Sequence, residues 1–123
     1  MNVLLSIKPE YAEKIFSGEK QYEYRRLIFK NRDISQVIVY ASSPIKKVIG
    51  EFEIKKIFFD DIESLWNKTK YHSGISEENF FKYFLNKERG YAIKIGKFFK
   101  YEQPLCLKEK YGLMPPQSFA YIT

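Results

Sequence analysis

This 123-residue chain holds one cysteine and one histidine, and no apolar run in it approaches the roughly 18 residues of a membrane-spanning helix. Each shortage excludes something. Cys106 alone rules out an internal disulfide framework. With His72 as the sole histidine, a zinc cage of nitrogen and sulfur ligands lacks members, so no structural metal and no cofactor is expected. The apolar start, Val3-Leu4-Leu5, has no basic region before it and does not read as a secretory leader. The expectation is a reduced, soluble, cytoplasmic protein with no membrane partner. Six glycines and five prolines are scattered along the chain, with no linker, repeat or low-complexity tract, so residues 1–123 read as a single domain.

Aromatic residues are plentiful, with eleven Phe, ten Tyr and one Trp making up 18% of the chain. Such rings fill a small core, form a stacking surface for bases, or do both. The net charge of +6 favours polyanionic partners, although residues 1–62 hold eleven basic and nine acidic residues and residues 63–123 hold ten and six, so neither half is a concentrated basic arm.

Val3–Ile7 reads as a buried strand. Pro9 suits a first helical turn, Ala12, Ile15 and Phe16 share one helical face, and Gly18 is placed to stop the helix. From Gln21 the period becomes two, with Tyr22 and Tyr24 on one face and Glu23 and Arg25 on the other. Val37–Tyr40 is apolar on both faces, as a central strand requires, and Ala41–Pro44 ends it. Lys46–Phe58 alternates, with Val48, Gly50, Phe52 and Ile54 inward, and Gly50 marks a bend or bulge. Asp60 or Asp61 caps a helix bearing Ile62, Leu65 and Trp66, and Ser76 caps another bearing Phe80, Phe81 and Phe84. Gly90–Ile95 restores a strand, and Pro104–Leu107 adds a short one. The class is α+β, a small, mostly antiparallel open barrel with helices packed at its ends.

The segment Gly18-Glu19-Lys20-Gln21-Tyr22-Glu23-Tyr24-Arg25 sets a lysine at a glycine turn, then a carboxylate and a guanidinium on one face of the next strand. If that face lines a cavity, Arg25 holds Glu23 ionised, and Lys20 beside a second cation loses its proton more easily and becomes a base or nucleophile. If it faces solvent, Glu23 and Arg25 are an ion pair worth at most about 1 kcal/mol.

The string Gly18-x-Lys20-x-x-Glu23-x-Arg25, preceded by Leu5-Ser6-Ile7-Lys8-Pro9, resembles the ASCH domain family, most sharply over residues 3–26. The resemblance implies a PUA-like barrel with a cleft that binds RNA or a modified nucleobase, and carries over Gly18, Lys20, Glu23 and Arg25. Some family members are amidohydrolases acting on acetylated cytidine. They use a threonine where this chain has Glu23 and need a glutamate where it has Tyr71–Ser76, a stretch without a carboxylate. His72 is the substitute acid or base available there.

Lys8 is a further candidate for the cleft, as is Ser42 at a strand end. In the tail, Gln117 and Ser118 offer hydrogen bonds and Phe119 a stacking ring. The tail either folds over the cleft or is stapled to the barrel by Phe119 and Tyr121. Lys94, Lys97 and Lys100, interleaved with Phe98 and Phe99, read as a protected edge strand or a phosphate track. Three functions follow. The first is an RNA- or modified-nucleoside-binding module walled by Lys20, Glu23 and Arg25. The second is a hydrolase on the same ligands, an acetylcytidine amidohydrolase or a ribonuclease, with Lys20 and Glu23 catalytic. The third is a protein-interaction module docking through its rings.

Overall fold

Strand β1 (Asn2–Ile7) is apolar at consecutive positions because both of its faces are covered. Val3, Leu5 and Ile7 join one core with Val37, Val39, Ala41 and Phe52. Leu4 joins a second with Ile38, Tyr40 and Val48. A computed structural model describes residues 1–122. Helix α1 (Pro9–Phe16) begins on proline and buries Ala12 and Ile15. It ends where Gly18 takes φ +85°, a conformation that side chains with a Cβ resist.

After β2 (Tyr22–Arg25), strand β3 (Gln36–Ala41) returns beside β1 in parallel, the one parallel pair among the described residues. Strands β4 (Lys47–Asp61) and β5 (Arg89–Leu105) form long antiparallel arms, and β6 (Phe119–Ile122) closes on β1. The spatial order is β2-β5-β4-β3-β1-β6, an open six-stranded sheet with β2 and β6 at its edges. Register shifts along β4 at Val48/Gly50, Phe52/Ile54 and Ile54/Lys56 are bulges of the kind that coil a sheet.

The bulge also corrects the expected alternation of β4. Val48 packs in the second core and Phe52 in the first, because an irregularity at Gly50 moves later side chains to the other face. A second correction concerns β5, which runs unbroken to Leu105 where two strands were expected. Pro104 is tolerated because β2 pairs with β5 only over Tyr91–Lys94, so that edge needs no donor from residue 104. Cys106, half-buried, then precedes helix α4 (Leu107–Tyr111).

Helices α2 (Ile62–Thr69) and α3 (Glu77–Tyr83) cover the opposite face of β2 and β5. Asp61 and Ser76 cap them, accepting from the backbone N–H of Ser64 at 2.9 Å and Asn79 at 3.1 Å, contributions of about 1 kcal/mol each. Leu65, Trp66, Phe80 and Phe84 bury Tyr24 and Ala92 in a third core. The rings Phe52, Trp66, Phe80 and Phe84 thus pack the interior as their spacing predicted, and Phe29, fully buried in the first core, joins them from the loop after β2.

Candidate functional site

Every residue of β2 is at least partly buried, charged ones included. A lone buried ion costs several kcal/mol, so Glu23 and Arg25 need partners. Arg25 Nη1 donates to Glu23 Oε2 at 3.2 Å and to the Ser6 carbonyl at 3.3 Å. Its Nη2 donates to the Ser118 carbonyl at 2.9 Å and to Ser118 Oγ at 2.7 Å. The sheet is therefore curled enough for one guanidinium on an edge strand to reach the segment leading into the other. Side chains bridge the gap that backbone pairing leaves open. Ser6 Oγ reinforces the seam by donating to the Pro116 carbonyl at 2.7 Å.

Lys20 lies beside this seam. The chain reversal at Gly18 brings the Lys20 N–H onto the Lys14 carbonyl at 2.9 Å. Its stem runs against Gly74, where any side chain would meet the Lys20 Cβ at 2.4 Å and where φ is +65°. Lys20 Nζ donates to the Ser73 carbonyl at 2.8 Å and stands 4.7 Å from the centre of the Tyr24 ring and 5.2 Å from that of Tyr11. It is 3% exposed and forms no ion pair among the described residues. Burial lowers its pKa to about 8, with Glu23 pulling upward and Lys14 adding a smaller downward push. The main cause is thus desolvation rather than the neighbouring cation expected from sequence. Tyr24 donates its hydroxyl to Thr69 Oγ1 at 2.7 Å, and burial raises its pKa, which keeps the phenol neutral beside the amine. Tyr11 is shifted upward too, by burial first and then by Glu10 and Glu23.

Lys20, Glu23, Arg25, Tyr11 and Tyr24 line a cleft of about 1250 Å³, together with Ser42, Lys46, Lys82 and Lys87. Seven of its lining side chains are basic (Lys8, Lys20, Arg25, Arg26, Lys46, Lys82 and Lys87) and two, Glu10 and Glu23, are acidic. Lys8, Ser42, Gln117 and Ser118 are on the lining with Lys20, Glu23 and Arg25. Phe119 is not. Its ring packs edge-on against Phe29 at 6.1 Å in the first core, because residue 119 already belongs to β6. The tail therefore does both things open to it, residues 115–118 bordering the cleft and Phe119–Ile122 stapling to β1. Tyr71 and His72 are exposed and absent from the lining, so His72 offers no substitute acid there.

Sequence reasoning missed Tyr11 and Tyr83 on the lining, and set Tyr24 away from it. Strand alternation does direct Tyr24 to the third core, but Lys20 precedes β2 and approaches that ring from the turn. Lys82 and Lys87 carried no signal beyond their charge. Among the described residues no group of three or more His, Cys, Asp and Glu is placed to hold a metal ion, and no helix is long and apolar enough to cross a membrane.

The sequence pattern of the ASCH domain family matches residues 5–101. Large ribosomal subunit protein uL22 of Ureaplasma parvum is 31% identical over 121 residues, which are 98% of this chain but 39% of that protein. The chain thus spans well under half of that relative. The ASCH domain-containing ribonuclease of Zymomonas mobilis is 30% identical over 97% of this chain and 82% of its own length. The crystal structure of ASCH from Zymomonas mobilis superposes with a TM-score of 0.91, at 30% identity, covering 99% of this chain and 87% of that one.

Proposed function

Because the chain belongs to the ASCH domain family, we propose that its cleft binds single-stranded RNA and cleaves it, with Lys20 as the base. One observation carries this reading. A lysine 3% exposed and without a carboxylate partner is held at a wall where basic side chains outnumber acidic ones seven to two. A phosphodiester backbone is the ligand such a wall suits. A base with pKa about 8 is about one-tenth neutral at pH 7 and about half neutral at pH 8. The Zymomonas mobilis relative that bears the name ribonuclease is consistent with that chemistry. Hydrolysis of acetylated cytidine is less well supported, since residues 71–76 carry no carboxylate and His72 lies off the cleft.

In this reading the neutral amine of Lys20 takes the proton of a ribose 2′-hydroxyl, and the 2′-oxygen bonds to the adjacent phosphorus. The bond from phosphorus to the 5′-oxygen breaks and that oxygen takes a proton from water. A 2′,3′-cyclic phosphate and a 5′-hydroxyl result. Arg25, fixed by Glu23, Ser6 and Ser118, faces the phosphoryl charge. Glu23 Oε1, which accepts no hydrogen bond among the described residues, is left for base N–H groups.

The test is an end-labelled unstructured RNA incubated with wild type and with Lys20→Ala. Wild type releases cyclic-phosphate ends at a rate that rises as pH passes about 8, and the variant is slower by about 10²- to 10⁴-fold. Tight binding without turnover would return the cleft to a binding module for RNA or a modified nucleoside. Absence of both would end the nucleic-acid reading.

A further inference from the structure

Away from the cleft, one group of side chains is arranged as a stacking surface and takes no part in the chemistry above. Phe59 on β4 and Tyr91 on β5 are directly paired across the sheet, with ring centres 4.5 Å apart and planes 29° apart. Arg89 sets its guanidinium 5.0 Å from the centre of the Phe59 ring, and Arg32 sets its own 5.8 Å from that of Tyr91. Phe59 is 50% exposed, so an apolar ring is held half in water beside Tyr91 and the Arg89 guanidinium.

The position matters as much as the composition. Tyr91 is also the register partner of Arg25 on β2. Directly paired residues in antiparallel strands project to the same face, so Arg25, Tyr91 and Phe59 form one row across three adjacent strands. At about 4.8 Å per strand, Phe59 is about 10 Å from Arg25, within the reach of one or two nucleotides of extended chain. Lys87, on the cleft lining, lies two residues before Arg89, with the exposed Glu88 between them.

We propose that Phe59 and Tyr91, flanked by Arg32 and Arg89, form a base-stacking subsite for single-stranded RNA, one or two nucleotides beyond the cleft. This rests on the cleft being an RNA site. Aromatic faces accept any base, and the two guanidiniums meet the phosphates on either side, so the subsite adds affinity for length rather than for sequence. A protein partner docking on bare rings would have less use for two arginines already laid over them.

The experiment measures binding of two unstructured RNAs, a trinucleotide that fills the cleft and a twelve-nucleotide strand that reaches beyond it, by wild type, Phe59→Ala and Arg89→Gln. Both substitutions lie at the surface. Phe59→Ala is expected to weaken the twelve-nucleotide strand roughly tenfold and to leave the trinucleotide unchanged. Arg89→Gln gives a smaller loss of the same selectivity. Phe59→Trp retains long-strand binding, and its fluorescence is quenched by the long strand only. Equal affinity of wild type and Phe59→Ala for the long strand, or equal losses for both strands, would overturn the subsite while leaving the cleft standing. Failure of wild type to bind either RNA would overturn both.

Discussion

Two stretches of this molecule look alike in sequence and behave oppositely. Tyr22–Arg25 and Lys97–Tyr101 both mix rings with charges on a strand, yet Glu23 and Arg25 are 6% and 8% exposed whereas Phe98 and Phe99 are 44% and 62% exposed. The difference is the neighbour. Strand β2 is wrapped between the seam and α3, so its charges face one another and the tail. Among the described residues the outer half of β5 has no strand on its far side, so its lysines stay in water and Lys100 pairs with the exposed Glu13 at 3.2 Å. A buried charge cluster opposes stability and persists for another reason, while an exposed one is cheap edge protection.

That contrast can be broken or sharpened by substitution. Glu23→Ala leaves Arg25 buried with only neutral acceptors, and should lower the unfolding free energy by about 3 kcal/mol in urea titration. A loss under about 1 kcal/mol would mean that Ser6 and Ser118 satisfy Arg25 alone.

Lys20→Met runs the other way. Burial lowers the Lys20 pKa from 10.5 to about 8, so below that value the folded state bears the full cost of a buried cation. Replacing it should stabilise the protein by about 1–2 kcal/mol at pH 7, after the lost contacts with Ser73 and the rings are deducted. The unfolded chain holds more protons between about pH 8 and 10.5, so wild-type stability climbs across that window and the advantage of the variant shrinks. A urea midpoint for Lys20→Met below that of wild type at pH 7 would contradict the desolvation argument. Lys100→Ala, by contrast, should change stability by less than about 0.5 kcal/mol, because both partners of its ion pair are more than half exposed. A larger loss would show that the outer half of β5 is not the passive edge described above.

Much of this was legible beforehand, and the gaps have physical causes. Periodicity found β1, α1, β2 and β3, and local chemistry named Ser76 as one cap and narrowed the other to Asp60 or Asp61, of which Asp61 is the one used. The spacing of Lys20, Glu23 and Arg25 named a charged wall, but nothing local says that the wall is closed by residue 118, ninety-three positions after Arg25. The tail sequence leaves Phe119 open as a ligand ring or a staple to the barrel. Register decides between them: pairing of Leu5 with Phe119 places that ring on the core face of β6. The run of β5 through Pro104 was hidden because a proline ends a strand only where its missing N–H is needed.

The seam also has a meaning in time. A chain made from its N-terminus carries Lys20, Glu23 and Arg25 well before Ser118 exists, and the Ser6–Pro116 and Arg25–Ser118 bonds span 110 and 93 residues. Until β6 docks on β1, the Arg25 guanidinium lacks two of its acceptors and the cleft lacks one wall. Completion of the site is thereby tied to arrival of β6, so that a chain lacking residues 115–122 holds the cationic half of the cleft without the frame that orients it.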